Sequence, residues 1–290
     1  MMEFFSAAAQ YSILQYALLT AVLASIAAGV VGTYVVVRRI SYIAGGIAHC
    51  VLGGMGAALY LQRVHDLAWL QPLHGALAAA VLAALVIGLV SLKAKEREDT
   101  VIGAVWAIGM AAGVLFMAKT PGYVEDLMSY LFGNILMVSK RDLYLIAGLD
   151  AVVVLSGLLF YNQLQAVCFD EEFARVRGVN VEFFYLFLLV LTALTVVLLV
   201  TVVGVILVIA LLTLPVAVAG QFSRTLWHMM ALATLFSIVF TVGGLALSYT
   251  PNLPAGATII VVAGAAYLLV MPAAALYRRN RRGRIASARR

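Results

Sequence analysis

The chain has 290 residues, 64% of them hydrophobic and only 11% charged, a composition that no ordinary water-soluble domain carries. Its formal net charge of +6 suggests nucleic acid, but seven arginines (278, 279, 281, 282, 284, 289 and 290) crowd one end, and taking those seven away leaves −1. A basic tail of this kind, residues 277–290, is read as a cytoplasmic anchor beside anionic membrane lipid, and no nucleic acid is expected as a partner.

Apolar runs of about twenty residues can cross a hydrocarbon core of about 30 Å as helices. No water is present there to satisfy backbone groups, so only helices or closed barrels serve. The runs are continuous rather than alternating, which predicts an all-α polytopic membrane protein forming a single transmembrane domain over residues 1–290. Met1 to Gln10 lacks a basic stretch, and the first run is too long for a signal-peptide core, so no cleavable signal is expected. Nine spans are predicted at 14–37, 44–61, 73–92, 101–119, 143–161, 182–199, 200–220, 227–248 and 254–276. Val181 to Gly220 is one apolar block with only Thr201 and Gly204 to mark a turn. A tight hairpin and a broken helix both stay open there, and with them a count of eight or ten.

The second span opens SYIAGGIAHCVLGGMGAALY, in which Gly45, Gly46, Gly53, Gly54 and Gly56 with Ala44, Ala48 and Ala57 make a small-sided helix. Small residues let helix backbones approach closely. His49 stands out in it: an intramembrane ionisable group defaults to a functional hypothesis, and neutral imidazole ligates zinc and similar metals. No carboxylate flanks it at i±4, because both 45 and 53 are Gly. Cys50 points about 100° away and reads as a small hydrophobe. With Cys168 it forms no disulfide or CxxC pattern, so no redox role is expected. The outer loop QRVHDLAWLQPLH offers His65, Asp66 and His74, which read as solvated interfacial groups.

Tyr123 to Asp142, YVEDLMSYLFGNILMVSKRD, is too polar at its ends for a span and too apolar for a free loop; an interfacial or partly inserted helix suits it. Asp150, midway along the fifth span, is a second intramembrane ionisable group, placed on a polar path or paired with a neighbour.

Asn162 to Glu182 form a charged island between apolar blocks. Phe169, Phe173 and Val176 fall at i, i+4 and i+7, one stripe of a helix. Asp170, Glu171 and Glu172 occupy the first turn, Arg175 and Arg177 the last, and Gly178 the C-cap, so the charges complement the helix dipole. A helix of two or three turns is marginal alone in water, which suggests a handle offered to a soluble partner. His228, beside Trp227, reads as interfacial.

With the tail in the cytoplasm, Arg38–Arg39, the 93–99 segment, the island and Arg224 are also inside, giving fifteen of nineteen Lys and Arg residues against four outside. The bias puts the N-terminus outside and the island in the cytoplasm, where ATP is found. The chain contains no G-x-x-x-x-G-K-[ST], so if ATP drives it, another polypeptide binds the nucleotide.

Five segments together resemble the membrane permeases of ABC transporters for zinc, manganese and iron. They are GTYVVVRRISYIAGGIAHCVLGG (32–54), DLMSYLFGNIL (126–136), FDEEFARVRGV (169–179), VGVILVIALLTLPVAVAG (203–220) and SYTPNLPAGATIIVV (248–262). Each is short and hydrophobic, but all five occur in the family's order. The resemblance implies a permease of a prokaryotic plasma membrane with no enzyme activity and no cofactor of its own. It pairs with a second permease subunit, taken as a second copy, and receives metal from an extracytoplasmic metal-binding protein. It also implies that the 169–178 helix, through Phe169, Asp170, Glu171, Phe173, Ala174, Val176 and Gly178, docks on a cytoplasmic ATP-binding subunit. His49 is then a transient metal contact, and Asp126 and Asp150 are path candidates. Family members commonly carry aspartate four residues before that histidine; here Gly45 stands in its place, which disfavours manganese and makes zinc the first expectation.

Two other readings compete. One is a stand-alone proton-coupled carrier with His49 and Asp150 as relay groups, against which the lack of internal symmetry weighs. The other is a scaffold that recruits a soluble protein, which leaves the buried ionisable groups without a role.

Overall fold

The computed structural model describes residues 2–93, 98–121, 133, 135 and 138–287. Among the described residues there is no strand, and nine helices are long and apolar enough to cross a bilayer. In chain order the elements are α1 Met2–Gln10, α2 Ser12–Val37, α3 Ser41–Val64, α4 Pro72–Lys93, α5 Glu98–Lys119, α6 Lys140–Leu159, α7 Tyr161–Phe169, α8 Glu171–Val176, α9 Val181–Val203, α10 Val205–Phe222, α11 Leu226–Tyr249 and α12 Ala255–Ser287. The short α1, α7 and α8 are the elements outside the nine spans. Helix α1 had no counterpart in the predicted elements; it is held by Phe4, which is fully buried and meets Tyr249 edge to face.

The Val181–Gly220 block is two helices. They meet at Gly204, whose φ of 79° and ψ of 163° belong to a region open essentially to glycine alone. The Gly133 backbone packs directly on Val203 and Gly204. The remainder of the outer segment, residues 122–132, 134, 136 and 137, lies outside the described residues. The interfacial helix expected there and Asp126 lie within it.

Helix α3 packs between α4 and α5, and α2 packs against α6, α10 and α11. The small residues of α3 make the first of these arrangements possible. A Cβ placed on Gly53 would lie 2.6 Å from the Gly109 carbonyl oxygen of α5, inside any real contact distance. Dispersion at such short separation substitutes for the hydrophobic driving force that lipid cannot supply. The outward faces of α5, α6 and α12 carry exposed Ile108, Leu115, Leu155, Leu268 and Leu269, a surface fit for acyl chains.

Candidate functional site

The site with the fullest geometry lies around α8. Helix α7 buries Leu164, Val167 and Cys168 and ends at Phe169. Asp170 then takes an extended conformation (φ −155°, ψ 104°), and its carboxylate accepts a hydrogen bond from the Phe173 N–H at 3.0 Å, capping α8. The expected single helix over 169–178 is thus two. An N-cap residue requires non-helical dihedrals, so Asp170 cannot cap α8 and also continue α7. Phe169 ends one helix and Phe173 sits on the next.

The C-terminal end of α8 closes as a Schellman motif. Gly178 at φ 77° donates to the Arg175 carbonyl at 2.9 Å, and Val179 donates to the Ala174 carbonyl at 3.0 Å. Ala174 is fully buried and seats the helix on the bundle, whereas Phe169, Phe173 and Val176 are 64%, 51% and 88% exposed. The helix therefore packs through a methyl group and presents Phe173 and Val176 to solvent, beside Phe169 at the end of α7. Arg177 lies over the Phe173 ring at 4.9 Å and stiffens it.

A second feature that sequence reasoning missed holds α8 from beneath. Arg38, the C-cap of α2, pairs with Glu171 and also lies over the Tyr185 ring of α9 at 5.5 Å. Tyr185 in turn shares a hydrogen bond of 3.2 Å with Ser91 of α4. No local pattern connects positions 38 and 171, so Arg38 was legible only as one inside charge among many. Cys168 sits nearby: burial pushes its thiol up to about 12 against the opposing pull of the Arg38 charge.

His49 is half-buried on α3, and its imidazole stacks on Trp106 of α5 at 4.2 Å with the rings 10° from parallel. Stacking fixes the ring plane while leaving the nitrogens at its edge. A Cβ at Gly45, one turn earlier, would meet only the Ile209 side chain at 3.6 Å, so apolar packing, and no carboxylate, flanks the imidazole on that side. Cys50 donates to the Val105 carbonyl at 3.0 Å, which holds its thiol against α5. Among the described residues no three His, Cys, Asp or Glu side chains gather to hold a metal ion.

Asp150 is 5% exposed on α6, and one of its carboxylate oxygens has no hydrogen-bond partner. Helix α6 packs against α2 and α9, whereas His49 faces α5, so the structure does not bring these two residues together. His65 meets Tyr60 edge to face, His74 accepts from the Gln71 N–H, and His228 shares a hydrogen bond with Thr225, the cap of α11.

Comparison with known proteins places this geometry. The model of the ABC 3 transport family matches residues 10–274. A probable metal transport system membrane protein of Chlamydia trachomatis is 44% identical over 252 residues, 87% of this chain and 86% of that one. A manganese transport system membrane protein of Listeria monocytogenes is 34% identical over 262 residues, 90% of this chain and 91% of that one. Among solved structures, PsaBC from Streptococcus pneumoniae in complex with Fab matches with a TM-score of 0.81 at 32% identity, covering 93% of this chain and 94% of that one.

Proposed function

The chain belongs to the ABC 3 transport family, and on that premise we propose that it is the permease subunit of an ATP-driven importer of a divalent metal ion. The observation that carries this reading is the exposed triplet Phe169, Phe173 and Val176 around a helix capped at both ends. A six-residue helix cannot persist in water on its own. Seated by Ala174, it becomes a rigid apolar knob of the kind that fits a groove in a soluble partner. That partner is a cytoplasmic ATP-binding subunit, because this chain has no phosphate-cradling loop.

The arrangement supports alternating access. Two copies of this chain enclose the path; nucleotide binding draws the two ATPase subunits together, and α8 moves with them. Metal arrives from an extracytoplasmic binding protein on the side of the N-terminus, and the basic tail lies in the cytoplasm of a prokaryotic cell. His49 is a passing ligand rather than a resident site, since a conducting path needs contact weak enough to leave. An imidazole without a neighbouring carboxylate suits zinc better than manganese, whereas relatives at about a third identity are named for manganese.

Vesicles holding this chain, with and without the ATPase subunit, test the reading. Uptake of zinc or manganese is expected only with the ATPase and ATP. Equal uptake by the chain alone would restore the stand-alone carrier. Competition between the two ions in the same vesicles decides between them.

A further inference from the structure

We propose that Arg38 is the mechanical joint that carries movement of α8 into the metal path, a role that rests on the docking function of α8. Three observations converge on this residue. Its guanidinium pairs with Glu171 of α8 and lies over Tyr185 of α9, and its backbone N–H closes the end of α2. Through the Tyr185–Ser91 hydrogen bond the same group reaches α4. One guanidinium thus ties the short α8 helix to three membrane-spanning helices, its own α2, α9 and, through Tyr185, α4.

The corner beneath it is stiff. Arg39 turns through φ 64°, the Arg39 N–H donates to the Val36 carbonyl at 3.1 Å, and Ile40 donates to the Val35 carbonyl at 2.9 Å, which is the Schellman closure again. Helix α3 begins two residues later at Ser41 and carries His49 eight residues further on, about 12 Å along its axis. A displacement of Glu171 therefore pulls the α2–α3 corner, and α3 transmits it as a rigid rod to the imidazole.

Stability does not explain the pair. Its side chains are 26% and 38% exposed, and ion pairs at such exposure contribute little to folding. The planar fork and its aromatic stacking instead fix direction, which a lysine would not do.

The test uses the full complex of permease and ATPase in vesicles, with Glu171→Gln, Arg38→Gln and the exchange Arg38→Glu/Glu171→Arg. Three readouts are taken: ATPase affinity for the permease, ATP hydrolysis, and metal moved per ATP. We expect Arg38→Gln to bind the ATPase with unchanged affinity and to hydrolyse ATP, while metal moved per ATP falls about tenfold, within the usual range of coupling energies. Glu171→Gln, which lies on the docking helix, is read at saturating ATPase and is expected to show the same fall in metal moved per ATP. The exchange restores the ion pair but not the stacking on Tyr185, so it is expected to recover only part of that loss. Normal stoichiometry in Glu171→Gln and Arg38→Gln would overturn the proposal. So would loss of ATPase binding by Arg38→Gln in step with transport, because Arg38 would then merely hold the docking helix in its seat. Failure of the docking reading shows separately, as a Phe173→Asp permease that still binds the ATPase normally.

Discussion

Phe173→Asp separates docking from folding. The ring is 51% exposed while the adjacent Ala174 is fully buried, so the substitution leaves the seat of α8 in place. The backbone N–H of residue 173, which Asp170 caps, is also retained. A carboxylate near a helix N-terminus is favourable, and Arg177 stands close enough to pair with it. A phenylalanine side chain offers about 200 Å², so about 100 Å² of it is free to be covered by a partner. At about 25 cal/mol per Å² that burial contributes about 2.5 kcal/mol. A carboxylate forced into the same groove adds a desolvation cost, which brings the loss to about 3 kcal/mol. This corresponds to about a 150-fold rise in Kd. Titrating purified ATPase subunit onto the permease in lipid discs measures it, with thermal melting of the permease alone as control. Melting is expected to stay within about 0.5 kcal/mol of the parent, as for other exposed positions. A Kd within threefold of the parent at unchanged melting would remove α8 from the ATPase interface.

Two further outcomes test the bundle and the path. Gly53→Leu puts a branched side chain where a Cβ alone would lie 2.6 Å from the Gly109 carbonyl; overpacking of this kind costs about 1–3 kcal/mol and lowers the melting temperature. Gly148→Leu, which meets nothing within 4 Å, is expected to leave melting unchanged, and equal melting of the two variants would dismiss close α3–α5 packing. His49→Ala is expected to lower metal flux about tenfold or more while ATPase binding persists, and an unchanged flux would return His49 to packing against Trp106.

The membrane spans were legible because polar punctuation is scarce in this chain. Arg38–Arg39, Lys93 and Lys119 each stand within two residues of a helix end, and a bilayer admits such groups only there. Helix α6 starts three residues before the span that its apolar run predicts, because Ser139 and Asp142 form a capping box that writes Lys140 as the first helical residue. Helix α1 leaves little trace in the sequence because nine residues carry too little propensity to stand alone, and its stability comes from Phe4 meeting Tyr249 at the far end of α11. The stripe of Phe169, Phe173 and Val176 falls on two helices rather than the one its spacing predicts, yet its exposure survives because the break at Asp170 leaves both rings in solvent.

What no local pattern could supply is pairing across the chain, and the two faces of α8 show the consequence. Phe173 and Val176 face outward and could be read from spacing, because amphipathicity is a short-range property. Glu171 faces Arg38, 133 residues away in sequence, and a reading by charge counts both residues as topology signals without joining them. On the proposed reading, docking is written in the eight residues from Phe169 to Val176, whereas transmission rests on a contact that exists only after α2, α4 and α9 have assembled. Substitutions at Phe173 and at Arg38 should therefore fail differently: the first loses the partner, and the second keeps the partner but loses the work done per ATP. A chain in which both substitutions produced the same defect would have no joint at Arg38, only a longer docking surface.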